Sequence, residues 1–283
     1  MEKPRVTVLV PVKYYSANLL EKAVDSIINQ TCPHWRLLLI AGQKEAAELG
    51  AVLVTQLSDP RVEVVTHQNW ELACKLNAGM KRAETDFVAI LLGDDMWASD
   101  AVRVLTDYMI RFPGVDFFHS SRRFIDANDQ PISSVYESKD GFTLKDFVME
   151  SPVKHLLCWR REKALSLGGL DESIKFVGPD DWDLPWTMAD GGAVFKAVPE
   201  CLYLHRDHRK HYRLTTHVPR SVQISETKKI MRKHRVSNAD IRVRIRTAKK
   251  SYLKQCLYRS RFDQWLKEKL GHDANWRWRE EYQ

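Results

Sequence analysis

Two groups of carboxylates stand out in this 283-residue chain for the reactions their spacing would permit. Asp94 and Asp95 follow Gly93 and the aliphatic run Phe87-Val88-Ala89-Ile90-Leu91-Leu92. A run so short reads as a strand buried on both faces, which puts the acid pair where that strand meets solvent. Ligands collect at the carboxyl ends of strands in open α/β sheets, and two carboxylates there suit a hard divalent cation clamping a substrate's phosphates. The same pair is also ordinary turn chemistry, able to cap a helix beginning near Asp100. In the second group, Asp180, Asp181 and Asp183, mutual repulsion can raise one pKa toward neutrality, where a carboxylate acts as general base. The competing reading is a solvated cluster that starts a helix ahead of Trp182, Leu184 and Trp186.

The elements that would position these acids can be read in chain order. Arg5 to Val12 is a strand. Leu19, Leu20, Ala23, Val24, Ile27 and Ile28 recur at helical spacing after a cap at Ser16 or Asn18, and Thr31-Cys32-Pro33 stops that helix. Trp35 to Ile40 is a second buried strand. A helix over Glu45–Leu57, a strand over Arg61–Thr66 and a helix over Glu71–Ala83 lead into the Asp94-Asp95 strand. This βαβαβαβ order implies an α/β fold with a parallel sheet covered on both faces. Farther on, Phe117–Ser120 and Ser134–Tyr136 flank the turn residues Asp126-Ala127-Asn128-Asp129 as a hairpin would. Short helices are expected over Gly141–Val148 and His155–Leu165.

Composition narrows the function classes. Apolar residues make up 44% of the chain, enough for one large core or for a catalytic domain with an appendage. The amino-terminal apolar run is too short for a signal peptide, and no later run approaches the roughly 20 residues that span a bilayer; a cytoplasmic protein is expected. The five cysteines are widely spaced without a C-x-x-C pair, which fits reduced thiols better than zinc ligands or disulfides. No G-x-G-x-x-G turn or G-x-x-x-x-G-K-[ST] loop occurs, so dinucleotide and P-loop readings lose their support. The net charge of +7 is uneven: from Arg220 onward 18 Lys and Arg face 7 Asp and Glu, so this stretch carries +11 and the first 219 residues −4.

Several blocks carry a family resemblance. They are V-T-V-L-V-P-V-K-Y-Y with L-L-E-K-A-V-D-S-I-I-N-Q-T and W-R-L-L-L-I between Val6 and Ile40, and L-N-A-G-M-K-R-A-E-T-D-F-V-A-I-L-L-G-D-D-M-W ending at Trp97. G-G-L-D-E-S-I-K-F-V-G-P-D-D-W-D-L-P-W at Gly168–Trp186 and V-P-E-C-L-Y-L-H-R-D-H at Val198–His208 follow in the same order. Together they resemble family 2 glycosyltransferases of the GT-A fold over roughly the first 210 residues. The resemblance implies a Rossmann-type α/β/α sandwich with a mostly parallel central sheet. It also implies sugar transfer from a nucleotide-sugar to a saccharide or lipid-linked acceptor, with inversion and an Mn2+ or Mg2+ ion, commonly in bacterial surface-polysaccharide assembly.

Carried over position by position, the resemblance puts Pro11, Lys13, Tyr14, Asn77 and Asp94 at the donor and Asp95 on the metal, with His208 near the metal or diphosphate. The catalytic carboxylate falls on Asp181, with Asp180 second. Arg206, Arg209 and Lys210 are alternative partners for the diphosphate, and an exposed basic loop is the plainer reading of that segment. Three departures bear on the choice of donor. Ala41-Gly42-Gln43 lacks the acid that usually holds the base, Leu92 replaces the first acid of D-x-D, and Lys13-Tyr14 replaces an aromatic-Asn pair. Trp159, Trp182 and Trp186 are candidates for sugar stacking, although core packing is the commoner fate of a tryptophan.

The catalytic unit is expected over residues 1–219, with its nucleotide-sugar half over 1–115 and its acceptor half over 116–219. Residues 220–283 form a basic helical extension, in which Ser237 and Asp240 resemble a capping box. Such helices either lie on an anionic membrane as a peripheral contact or pack on the catalytic unit. A non-catalytic binding protein would use the fold on a nucleotide-sugar without turnover, or this tail on nucleic acid, but no helix-turn-helix, RNP or zinc pattern accompanies the charge. A nucleotidyltransferase lacks its glycine-rich, basic phosphate loop here.

Overall fold

The computed structural model describes residues 4–13, 15–69, 71–207 and 218–247. Tyr14, His208, Arg209, Lys210 and the tail from residue 248 onward lie outside them.

The first half is built as its pattern predicts. Strands β1 (Val6–Val12), β2 (Trp35–Ala41), β3 (Val62–Thr66) and β4 (Phe87–Ile90) lie parallel in the order β3-β2-β1-β4. The helices between them are α1 (Ala17–Ile28), α2 (Gln43–Val52) and α3 (Leu72–Arg82). Helix α2 is shorter than its apolar spacing implied: Leu53 closes it and a separate 3-10 turn follows at Gln56–Ser58. Side chains of β1 alternate. Val6, Val8 and Val10 face Leu20, Val24 and Ile27 of α1, whereas Leu9 faces Leu76 and Met80 of α3. This is the period-2 consequence of a strand buried on both sides. Fully removing such side chains from water contributes about 1.5–3 kcal/mol each.

Beyond β4 the sheet is mixed. Strand β5 (Met96–Trp97) precedes helix α4 (Ala101–Arg111), and β6 (Phe117–Ile125), β7 (Leu157–Arg160) and β8 (Phe195–Arg206) complete the order β4-β7-β6-β8-β5. Strand β7 is antiparallel to both its neighbours, β8 is parallel to β6, and β5 is antiparallel to β8. The expected run of parallel strands therefore stops at β4. Parallel pairing needs a crossover, usually a helix, and residues 126–156 return to the sheet with only a 3-10 turn at Asp146–Val148.

Two local expectations change with it. The stretch expected as a helix over His155–Leu165 is β7 followed by the short α5 (Arg161–Ser166). Gly141–Val148 contains only the 3-10 turn. The hairpin around Asp126–Asp129 is present as two isolated bridges, Arg122 to Tyr136 and Ile125 to Pro131.

Helix α6 (Leu184–Asp190) and helix α7 (Arg220–Lys233) meet over a third apolar cluster, in which Phe147, Trp182 and Trp186 contact Ile230, Met231, Ile241 and Ile245. The described part of the basic extension thus packs on the sheet domain. Among the described residues, no helix is long and apolar enough to cross a membrane.

Candidate active site

A cleft of about 330 Å³ opens at the carboxyl ends of β1 and β4. Asp94 and Asp95 line it, and so do Asp180 and Asp181, 85 or more positions later in the chain. The two acidic groups singled out by spacing share one cavity. Pro11 and Lys13 also line it, together with Tyr15 and Lys75.

Asp94 and Asp95 follow β4 in a turn closed by the Asp95 N–H donating to the Leu92 carbonyl at 3.1 Å. They do not cap the next helix, which starts only after β5. Asp95 is 1% exposed, and both its oxygens are engaged: Oδ2 accepts from the Tyr203 hydroxyl at 2.6 Å and Oδ1 from the Arg206 N–H at 2.7 Å. His205 Nδ1 lies 3.4 Å from the same carboxylate. Burial, then the Asp95 charge, drives the Tyr203 phenol well above its ordinary range, so it stays a donor.

Arg206 is not available to a diphosphate. Its Nε donates to the Asp94 carbonyl at 2.7 Å, Nη1 donates to the Asp126 carbonyl at 2.6 Å, and the same Nη1 pairs with Asp129 Oδ1 at 2.6 Å. It is a buried staple that joins the Asp94 turn to the β6 hairpin.

The second acid pair is set by backbone geometry. Gly178 has φ of 51°, and a Cβ there would lie 2.7 Å from Asp181 Oδ1 and 2.9 Å from Trp182 Cβ. Only glycine combines that conformation with that approach. From it springs a single π-type turn, Pro179–Asp183, closed by the Asp183 N–H donating to the Gly178 carbonyl at 2.8 Å. The wider turn separates the acids: the Asp180 side chain is 8% exposed and that of Asp181 47%. His155, which precedes β7, sits beside both, with Nε2 3.9 Å from Asp180 and 3.8 Å from Asp181, and its ring packs on Tyr203 at 5.2 Å.

These surroundings split the pair. Burial and the neighbouring Asp181 charge push Asp180 up to about 7. Burial also opposes ionisation of Asp181, but His155 and then Arg122 outweigh it and hold that carboxyl below its usual range. In the same cleft, burial and the Lys75 charge bring the Lys13 ammonium down to about 8. Lys75, 1% exposed and lowered by burial, donates to the Val12 carbonyl.

Asn77, expected at the donor, is absent from the cleft lining. Its amide donates to the Leu170 carbonyl and to Glu172 at 2.9 Å, and its oxygen accepts from the Leu170 N–H, tying α3 to the loop before the acid turn. The three tryptophans are core residues: Trp159 donates to Met80 Sδ, Trp182 to the Phe147 carbonyl, and Trp186 stacks on His234 at 4.2 Å. Residues that spacing did not reveal are His155, Tyr203, Lys75 and Arg122. His155, Lys75 and Arg122 sit outside the quoted blocks, in segments with no distinguishing pattern; Tyr203 lies inside the Val198–His208 block, but nothing in its spacing marks it as a partner of Asp95.

Asp94 and Asp95 offer the hard oxygen donors that Mg2+ and Mn2+ take. Among the described residues no group of three or more His, Cys, Asp or Glu could hold a metal ion. Two carboxylates fit an ion that draws the rest of its shell from water and phosphate oxygens.

The glycosyl transferase family 2 model matches residues 7–160, from β1 through the end of β7. The chain belongs to glycosyl transferase family 2. This family 2 chain is similar to TuaG of Bacillus subtilis (strain 168), a glycosyltransferase named for teichuronic acid biosynthesis, at 28% identity over 109 residues, 38% of this chain and 43% of TuaG. It is also similar to WfgD of Escherichia coli, a UDP-Glc:alpha-D-GlcNAc-diphosphoundecaprenol beta-1,3-glucosyltransferase, at 22% identity over 45% of this chain and 49% of that one. The chain spans less than half the length of these curated relatives. In fold it resembles S. aureus TarS 1-349 in complex with UDP-GlcNAc, with a TM-score of 0.60 at 12% identity, covering 91% of this chain and 74% of TarS 1-349.

Proposed function

We propose that this glycosyltransferase moves a sugar from a nucleoside-diphosphate sugar to a hydroxyl of a saccharide, free or lipid-linked, by a single inverting displacement in the described cleft. The observation that carries the reading is the convergence of Asp94 and Asp95 with Asp180 and Asp181 on one cavity. An acceptor hydroxyl is a poor nucleophile, and Asp181, the more exposed and more acidic of its pair, takes the hydroxyl proton as the new C–O bond forms and the bond to the diphosphate breaks. Asp180, held near neutrality, is the second candidate base and keeps a proton beside Asp181. Asp94 and Asp95 would hold a divalent cation, whose chemistry there is to neutralise charge on the leaving diphosphate. Lys13 and Lys75 add positive charge to the donor wall.

The first donors to test are UDP-GlcNAc and UDP-Glc, the nucleotide-sugars bound by TarS and named for WfgD. Donor turnover with and without Mn2+, together with calorimetric binding of the matching nucleoside diphosphate, tests the assignment. Asp181→Asn is expected to lower transfer by about 10²–10⁴-fold, the usual contribution of a positioned base, and to leave nucleotide affinity within about twofold. Near-normal turnover in that variant removes Asp181 as the base.

A further inference from the structure

One stripe of α7 grips the segment that carries the acid pair. Glu226 is 8% exposed, and its carboxylate accepts three backbone N–H groups in succession, from Lys175, Phe176 and Val177, each at 2.9 Å. One turn later Lys229 donates to the Ser173 carbonyl at 3.0 Å. A further turn along, Lys233 donates to Asp183 Oδ2 at 2.6 Å, and His234 lies 3.1 Å from Asp183 Oδ1 and 2.6 Å from Asp190. Asp183 is wholly buried. Positions 226, 229, 233 and 234 fall on one helical face, and Ile230 between them enters the apolar cluster with Trp182 and Trp186.

The partners of this stripe bracket the acids. Residues 173–177 lead directly into Gly178 and the π-type turn, and Asp183 ends that turn. Lys175, Phe176 and Gly178 line the cleft themselves. Three successive amides converging on one buried carboxylate are a strong, charge-assisted constraint, and they lie outside the span matched by the family model. Glu226, Lys229, Lys233 and His234 themselves do not line the cleft.

We infer that Glu226, with Lys233 and His234, is a positioning residue for the Asp180–Asp181 pair, so that the helix after the sheet domain is part of the catalytic apparatus and not a separable tail. This rests on the reading of Asp180 and Asp181 as the base pair. A shift of about 1 Å in a catalytic group can cost as much as 10²-fold in rate. Loss of the latch therefore reads out in turnover before it reads out in nucleotide binding, because Lys13, Asp94 and Asp95 are not among its partners.

The test uses the full chain with Glu226→Ala, the near-isosteric Glu226→Gln, and Arg232→Ala on the exposed face of α7 as control. The measurements are hydrogen exchange at the 175–177 amides, nucleoside diphosphate binding stoichiometry, and donor turnover across pH. Glu226→Ala is expected to lose protection at 175–177, to bind one nucleotide per chain, and to turn over donor roughly ten- to hundredfold more slowly with the acid limb of its pH profile moved. Glu226→Gln, which keeps the shape but loses the charge, should fall between, and decides the matter if the alanine variant does not fold. Loss of protection at those amides with unaltered turnover and pH profile overturns the latch. A native chain that turns over no nucleotide-sugar instead removes the catalytic reading of the cleft, a distinct failure.

Discussion

Asp180 and Asp181 show how adjacent side chains of one type acquire different surroundings. The π-type turn buries one and opens the other to the cleft, and His155 adds its effect to the exposed member. Replacing the imidazole by His155→Gln should raise the Asp181 pKa, since the group that outweighs burial is gone. The acid limb of kcat/KM then moves to higher pH, as a pH–rate profile on the preferred donor will show; an unmoved limb removes His155 from the base's surroundings. Asp180 makes a second prediction through stability. Its folded pKa, about 7, lies above the unfolded value, so its stabilising contribution is complete below roughly pH 4 and is lost as pH rises through about 7. Asp180→Asn imitates the protonated form. Its melting temperature should gain on the native chain between about pH 4 and pH 7 and level off above that.

Among the elements, β8 does more than close the sheet. Its last residues deliver the Tyr203 hydroxyl, the His205 ring and the Arg206 N–H to Asp95, and the Arg206 side chain then reaches the Asp94 carbonyl and the β6 hairpin. A buried guanidinium with this many partners cannot be removed cheaply, because the Asp94 and Asp126 carbonyls lose their donor and Asp129 loses one of its two cationic partners. Arg206→Met should destabilise the fold by roughly 3 kcal/mol or more in urea unfolding. It should also weaken nucleotide binding, as the Asp94 turn loses its tether; a loss under about 1 kcal/mol counts against the staple.

For the molecule as a whole, the asymmetry of charge poses a question of placement. The sheet domain is acidic in balance and the stretch from Arg220 is strongly basic. Its described portion packs on the domain through Ile230, Met231, Ile241 and Ile245. A peripheral contact with anionic lipid is proposed for the basic residues beyond, which would bring the cleft to a lipid-linked acceptor. Sedimentation with phosphatidylglycerol vesicles should retain the full chain at low salt and release it at high salt. A chain ending at Thr247, which keeps the latch, should bind more weakly. Equal binding by both removes the membrane contact.

How much of this was legible before folding follows from the range of the interactions concerned. Alternation in β1, helical spacing in α1 and α3, and the acids after a buried run are local patterns, and the parallel half of the sheet and the position of Asp94 and Asp95 followed from them. The resemblance brought Asp181 into the same account from afar. What required the folded chain were contacts between segments far apart in sequence: Tyr203 on Asp95, His155 on both acids, Asn77 on Leu170, Glu226 on three amides. Local periodicity carries no trace of these. A stripe of Glu, Lys and His on α7 has the same spacing whether it faces water or the back of an active site, and a tryptophan beside an acid looks alike in a core and on a sugar platform. Burial distinguishes those cases, and burial is a property of the packed whole.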